Sequence, residues 1–589
     1  MINPRGTRRR LALSVVVVFA IVAVFMIRLV DIQVVRASEL TEEADSRRTS
    51  TVTTWGVRGS IVDANGTVLA DSVERFDITA SPKNVKLDKT WMRKDGKLVQ
   101  VQTADAIQAI ADLTATDPNT IYNTLIADPT SDFTYLAKAV TLDVFQKVRD
   151  LGIPWVYSEL HPSRTYPSGA IAGNLVGFLG TDAPLAGVEY QQDKCLAASN
   201  GTSTFESSAD GIRLPGSTVV HTAPHDGGTV QLTIDADLNW YLQQVLSEQG
   251  TALGADWGNA MVVRVSDGHI MADADWPTVD PNHIDGTPDP NNWGARSFSS
   301  PFEPGSIIKP ATFASLLDAG KITPTTQITV PGIYTEGLPD GAKIKDSWAH
   351  GDINYTATGV LVNSSNIGTA MLSQALTVKQ RHNYLEAFGF NSDTAVDFLG
   401  ESSGSVLPLD QTDAITALTQ QFGQGMSATS AQIASMYQTL GNGGVHMPLT
   451  LVAGCKEADG TMTDLPSTEG TRVVSENAAD TTVEMMEAVA SQGSLKNVLS
   501  IPGYRVAAKT GTAEVAEGGV YTSDRIVSVA GLVPAEAPQY AIVVTFAKPD
   551  TMKTSAAAAP AFNAIMKQVI KTFRITPSNE QGPVLPVTW

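Results

Sequence analysis

The chain has 589 residues, 43 % of them hydrophobic and 17 % charged, enough to bury more than one core, so two or more folded domains are expected and a disordered protein is excluded. The formal charge is −20. Four of the 41 basic residues fall within Met1–Arg10, leaving 37 bases against 61 acids, a balance that argues against nucleic acid as a partner.

The chain opens "RGTRRR" and continues "LALSVVVVFAIVAVFMI", Leu11 to Ile27, an uncharged run of 17 residues close to the shortest length that crosses a bilayer. Arg28 can extend it by snorkelling. Arg5, Arg8, Arg9 and Arg10 resist translocation, which keeps residues 1–10 cytoplasmic, makes 11–33 a transmembrane helix and puts Asp31 onward outside. A cleaved signal peptide is the alternative, but no small-x-small pattern closes the apolar run.

Outside the membrane, "GSIVDANGTVLA" reads as a hairpin, with Ser60–Val62 and Thr67–Ala70 flanking a two-residue Asn65-Gly66 turn. "TADAIQAIADL", with Thr103 as N-cap, and "TLDVFQKVRDLG", from Thr141 to Gly152, read as short helices between extended pieces. Residues 34–230 are expected to form a mixed α/β support domain without obvious chemistry.

A second grammar begins near Val230. "VQLTIDADLNWYLQQVL" is a strand entering a helix with Asp235 as cap, and "NAMVVRVSDGHIMADAD" is two strands around an Asp267-Gly268 turn. "QYAIVVTFA", Gln539 to Ala547, is an apolar strand followed by the helical "PAFNAIMKQVIKTF". Strands at both ends of a helical middle predict an α/β (α+β) domain over 231–575, and 576–589 is left as an extended tail. Cys195 and Cys455 fall in different expected domains, 260 positions apart, and are read as two separate buried thiols. The histidines are scattered, and Pro224 interrupts "HTAPH", so no metal site and no cofactor are expected.

The chemistry concentrates around "FEPGSIIKP". If Pro304-Gly305 closes a loop and a helix starts at Ser306, then Ser306 and Lys309 stand at i and i+3 on one face. A serine hydroxyl needs a base to become a nucleophile, and Lys309 supplies one if its amine is neutral. Bringing a lysine from near 10.4 to working pH takes about 4 kcal/mol of differential interaction, from burial or from neighbouring cations. Two further motifs follow in order: "LVNSSNIGTAML" with Ser364, Ser365 and Asn366 before an apolar helical pattern, and "AAKTGTAEV" with Lys509, Thr510, Gly511 and Thr512 on a strand-like run. Taken singly, these are a helix start, a helix cap and an edge strand with a glycine bulge. Together, S-x-x-K, S-x-N and K-T-G form the ordered set associated with penicillin-binding proteins and serine β-lactamases.

With "RGSIVDANG", "RTYPSGAIAGNLVG" and "AGVE", these motifs make the outer chain resemble a class B penicillin-binding protein over nearly its whole length. "SSPFEPGS", "DSWAHG", "TGVLVNSSNIGTAMLSQ" and "FGQGMSATSAQIASMYQTLGNGG" resemble the actinobacterial cell-division (FtsI-type) enzymes. Ala64 stands where that family usually has arginine, and no repeat module follows the catalytic segment. The resemblance implies a penicillin-binding, serine β-lactamase-like transpeptidase domain on an elongated pedestal, without a glycosyltransferase domain. It implies that Ser306 is acylated by D-Ala-D-Ala stem peptides or by β-lactams, that Lys309 takes its proton and that Ser364 relays a proton to the leaving amine. Asn366 would hold Lys309 or the substrate amide, Lys509 would keep the site positive, and Thr510 and Thr512 would bind the substrate carboxylate. Gly511 would let the peptide approach the strand, and the amides of Ser306 and Thr512 would form the oxyanion hole. The implied partners are peptidoglycan stem peptides, a membrane glycan polymerase of the SEDS family and other division proteins. The competing readings are an elongation-type transpeptidase, a D,D-carboxypeptidase or β-lactamase-like hydrolase, and a non-catalytic β-lactam sensor or scaffold.

Overall fold

A computed structural model describes residues 4–40, 49–180, 183–206, 214–339 and 341–589. The chain divides into two compact units, Met1–Val57 with Ala198–Asp226, and Arg58–Ala197 with Gly227–Trp589. The first holds helix α1, Pro4–Val30, whose apolar stretch continues through a π-turn over Asp31–Val35. Within Arg8–Val35 an 18-residue window has a mean hydropathy of 2.9 and no residue buried in the protein, which fits a single membrane-spanning helix. The same unit contains a three-stranded antiparallel sheet, with Gly201–Glu206 between Thr49–Thr54 and Val219–Thr222.

In the second unit, β1 (Ile61–Val62) and β2 (Val68–Val73) form the expected hairpin, but its loop is wider than a two-residue turn. The Asp63 carboxylate organises it by accepting from the amides of Asn65 (2.9 Å) and Thr67 (2.7 Å), while Gly66 supplies the positive φ of 86°. Thr103 is the first residue of its helix rather than its cap, because its hydroxyl donates to the Lys86 carbonyl at 2.6 Å. That helix, with the sheet ordered Thr134–Val140, Phe76–Ala80, Val156–Leu160, encloses a small separate core around Ile78, Ile110 and Trp155.

Strand β3 (Thr229–Leu232) leads into α2 (Ala236–Leu253), capped by Asp235 through the Leu238 amide at 2.8 Å. The antiparallel strands β4 (Trp257–Arg264) and β5 (Ile270–Trp276) follow. Then come α3 (Lys309–Asp318), β6 (Ile353–Thr356), α4 (Ala357–Val362), α5 (Asn366–Ser373), α6 (Ser430–Gly441), β7 (Val452–Lys456) and α7 (Glu476–Gln492). The last elements are β8 (Ala507–Glu517), β9 (Val520–Val533), β10 (Tyr540–Ala547) and α8 (Ala559–Thr572). A five-stranded antiparallel sheet in the order β5-β4-β10-β9-β8 forms the centre. "AIVVTFA" has no polar alternation because β10 is buried on both faces: Ile542, Val544 and Phe546 pack with α2 and α8, while Ala541 and Val543 join the core shared with α6 and α7.

The segment at Val230 also joins a second sheet. Strand β3 pairs in parallel with β1 (Val230 opposite Ile61) and antiparallel with β7 (Val230 opposite Cys455). This register corrects the reading of the cysteines. Cys195 and Cys455 form a disulfide with Cα atoms 6.0 Å apart, since β3 carries Cys455 towards the segment before it, where the Gly228 amide donates to the Cys195 carbonyl at 2.7 Å. Beside them, the family-like segments "RGSIVDANG", "RTYPSG" and "AGVE" meet at one buried ion cluster. The fully buried Glu189 receives Arg58 Nε at 2.9 Å and Arg164 Nε at 2.6 Å, and Asp193 receives Arg58 Nη1 at 2.5 Å, so two carboxylates face the two guanidinium groups.

Candidate active site

The first motif sits where a loop becomes a helix. Gly305, at φ +56°, turns the chain into a single 3₁₀ turn, Gly305–Ile308, that runs into α3 with Pro310 in its first turn. Glycine is required twice at this point. A Cβ on Gly305 would meet the Thr512 carbonyl at 3.0 Å, and a Cβ on Gly511 would meet Ile307 Cγ2 at 2.9 Å. The 3₁₀ turn is therefore packed directly against β8, which unites the first and third motifs. Tyr437 of α6 holds the turn from below by donating its hydroxyl to the Ile307 carbonyl at 2.9 Å. Ser306 is half-buried, whereas Lys309 is wholly buried.

Lys309 reaches the second motif. Its Nζ donates to the Ser364 carbonyl at 2.5 Å and to Asn366 Oδ1 at 2.8 Å, and lies 3.4 Å from Ser364 Oγ. A neutral amine has two N–H bonds and one lone pair, so the two short contacts use both protons and leave the lone pair for an incoming one. Lys509, also fully buried, donates to Ser364 Oγ at 2.8 Å and to the Thr510 carbonyl at 2.9 Å. Ser364 thus stands between the two lysines. Its backbone adopts φ +58°, a conformation that non-glycine residues hold only where the surroundings enforce it. The Ser306 hydroxyl takes no part in these bonds. Thr510 is partly buried and Thr512 exposed, and Thr512 Oγ1 accepts from the Ser555 amide at 3.0 Å.

Burial of two amines in one site makes both reluctant to hold a proton. Lys309 lies well below the ordinary lysine range, first through desolvation and then through repulsion by Lys509, with Asp346 acting the other way. Desolvation brings Lys509 down to about 7.

Sequence reasoning gave no role to Asp346 or His350, both in "DSWAHG". Asp346 Oδ1 accepts from the amides of Asn366 (2.6 Å) and Ile367 (3.0 Å), and Oδ2 from the Ser365 hydroxyl at 2.7 Å. The carboxylate thus supports the start of α5, where Ser365 Oγ also accepts from the Gly368 amide at 2.9 Å as N-cap. His350 is the second partner of Oδ2, with Nε2 at 3.0 Å, while its Nδ1 faces the Gly351 carbonyl at 2.6 Å. Glu303, three residues before Ser306, was also missed. Its Oε1 accepts from the Gly425 amide and the Tyr521 hydroxyl, both at 2.9 Å, which ties the nucleophile loop to "FGQG" and to β9. The segments containing these residues stood out only as family-like text.

Comparison with known proteins agrees with this geometry. Residues 258–567 match the penicillin binding protein transpeptidase domain, and 53–184 the penicillin-binding protein dimerisation domain. The chain is 34 % identical to penicillin-binding protein PbpB of Mycolicibacterium smegmatis, over 98 % of this chain and 91 % of that protein. It is 31 % identical to peptidoglycan D,D-transpeptidase FtsI of Escherichia coli K12, over 93 % and 89 % respectively. Among solved structures, penicillin binding protein 3 of Mycobacterium tuberculosis complexed with ampicillin is similar at a TM-score of 0.70 and 28 % identity, covering 91 % of this chain and 100 % of that one. With the three motifs gathered around Ser364 and both domain models matched in order, the chain belongs to the class B penicillin-binding protein transpeptidases.

Proposed function

We propose that this protein cross-links peptidoglycan stem peptides through a Ser306 acyl-enzyme and is trapped at the same serine by β-lactams. The observation that carries the reading is the convergence of Lys309 and Lys509 on Ser364 Oγ, at 3.4 and 2.8 Å. Ser306 Oγ attacks the carbonyl between the terminal D-alanines while its proton passes to the Lys309 lone pair. Asn366 holds that amine in place. Ser364 lies between the amine and the leaving nitrogen. It gives its proton to that nitrogen as the C–N bond breaks and regains one from Lys309, so terminal D-alanine departs neutral at its amine. An amine of a second stem then attacks the ester, its proton follows the reverse route to Ser306 Oγ, and the cross-link forms with the enzyme regenerated. The charge on Lys509 favours the substrate carboxylate, which Thr510 and Thr512 receive. The amides of Ser306 and Thr512 stabilise the oxyanion, where one preorganised donor contributes about 2.7–4 kcal/mol.

The wider role rests on the resemblance of the flanking segments to the division-type enzymes. The single helix keeps the catalytic domain (231–575) outside the membrane, and the pedestal (34–230) docks on a SEDS-family glycan polymerase of the division machinery, so cross-linking takes place at the septum. The test is intact-mass analysis with a labelled penicillin. One adduct mapping to the Ser306 peptide is expected, and Ser306→Ala should abolish it with the melt unchanged. An adduct on the alanine variant would refute the nucleophile. Depletion should give cells that grow without septating, whereas arrested side-wall growth with continued septation would assign the elongation role instead.

A further inference from the structure

The segment left as a patternless tail by its sequence lies against the segments that lead into Ser364 and into β8. Ser578 Oγ accepts from the Arg505 amide and Ser578 N donates to the Gly503 carbonyl, both at 2.9 Å, just upstream of β8. Gly582 rests on the Glu487 carboxylate so closely that a Cβ would lie 2.0 Å from Oε1. Glu487 is itself clamped by Arg505 at 2.8 and 2.7 Å. The chain then crosses α7, where Gln492 Nε2 donates to the Leu585 carbonyl at 3.2 Å, and runs along the free edge of β6. The Val587 carbonyl accepts from the Thr356 amide at 3.1 Å, the Pro586 carbonyl accepts from the Thr356 hydroxyl at 2.6 Å, and Thr588 bridges Tyr355. The other edge of β6 is paired with Gln327–Val330, so the tail completes a three-strand arrangement.

Thr356 makes this contact consequential for the site. Its hydroxyl is also the N-cap of α4, accepting from the Gly359 amide at 3.0 Å, and α4 ends two residues before Ser364, whose amide donates to the Leu361 carbonyl at 3.1 Å. Gly359 has no room for a side chain, since a Cβ there would lie 1.8 Å from the Val587 carbonyl. The tail buries only part of itself: Leu585 and Val587 lie partly buried against the core, while Val584 is 87 % and Trp589 52 % exposed. Its hydrogen bonds therefore fix position more than they add to the core.

We propose that residues 578–589 are a strap that sets the positions of α4 and β8, and with them Ser364 and Lys509, for acylation. This rests on the Ser306 reading given above. Displacements of about 1 Å at a reacting site can cost on the order of a hundredfold in rate.

The test measures penicillin acylation by rapid mixing, separating the first-order acylation step from the preceding non-covalent affinity, on the full chain, a chain ending at Pro577, Gly359→Ala, and the two changes combined. The truncated chain should acylate about tenfold to a hundredfold more slowly, with non-covalent affinity and melting temperature nearly unchanged. Gly359→Ala should slow the full chain, because its Cβ expels the strap, yet add nothing once the strap is gone. A truncated chain acylating at the full rate, or two effects that multiply, overturns the proposal. Should the truncated chain fail to fold, Gly359→Ala in the full chain decides alone. Alanine favours a helix over glycine, so an unchanged or faster rate overturns the strap. A full chain that never takes the label refutes the Ser306 reading instead.

Discussion

Asp346 Oδ2 and His350 Nε2 are 3.0 Å apart, with the carboxylate fully buried and the imidazole nearly so. The imidazole spans two acceptors, this carboxylate at Nε2 and the Gly351 carbonyl at Nδ1. The pair closes the network beneath the S-x-N segment, and Asp346 opposes the loss of a proton by Lys309.

Asp346→Asn puts an NH₂ group where only acceptors serve, so two of the four donors around the carboxylate lose their partner, at about 1–3 kcal/mol each. The variant should melt lower and acylate about tenfold or more slowly. Because Asp346 raises the Lys309 pKa, the acid limb of its pH–rate profile should move to lower pH while the plateau falls. A profile that only scales down would mean that the carboxylate acts through folding alone.

Penicillin acylation should follow a bell-shaped pH dependence. The acid limb reports Lys309, which must be neutral to accept a proton, and should lie well below the ordinary lysine range because burial and Lys509 lower it. The alkaline limb should lie at about 7, where Lys509 loses its charge. Lys509→Arg keeps the charge and should extend activity to higher pH. Lys309→Arg cannot deprotonate and should be inactive throughout. Stopped-flow acylation from pH 5 to about 10 checks all three.

Beside the central sheet, Asp273 and Asp275 are buried on one face of β5, with Ser297 Oγ donating to Asp273 and the Arg296 amide donating to Asp275 at 3.1 Å. Desolvation pushes Asp273 well up, and brings Asp275 to about 7. Between about pH 4 and 7 the folded chain therefore holds more protons than the unfolded one, so these groups make stability fall as pH rises across that window. Asp273→Asn, a neutral isostere, should flatten the decline while leaving stability near pH 4 unchanged. Thermal melts at several pH values measure the slope, and an unaltered slope would sink the assignment.

Replacing Cys195 and Cys455 together by alanine should cost about 2–5 kcal/mol in denaturant unfolding, since the bridge restrains a long loop of the unfolded chain. Penicillin acylation well below the melt should be retained, because neither sulfur touches the catalytic network.

The candidate site was legible because each motif is short and its chemistry is carried by side-chain type: Lys309, Ser364, Asn366 and Lys509 are joined by hydrogen bonds, with Ser306 in the turn that leads into Lys309. Strong local patterns were legible too, such as the Asp235 cap and the continuous apolar run of β10. Pairings between distant segments were not. Nothing local in "VQL" indicates that Val230 lies between Ile61 and Cys455, so the disulfide was misread. Asp346 has the composition of a loop residue, and its role exists only because a later helix begins above it. The tail shows no periodicity because it docks through backbone carbonyls, which carry no residue signature.

The sheet that joins β1, β3 and β7 also governs the order of events during synthesis. Its first strand leaves the ribosome early, but its neighbour Val230 and then Cys455 arrive only much later. Closure over such separations is slow. The Arg58–Ala197 segment can form its small core around Trp155 at once, and Ile61 can pair with Ala70 early, yet its other side waits for Val230 and the far edge of β3 stays unpaired until Val452–Lys456 has been made. An arrested or prematurely terminated chain would therefore present an open strand edge, the kind of surface that folding helpers and proteases engage, so an incomplete chain is marked as incomplete.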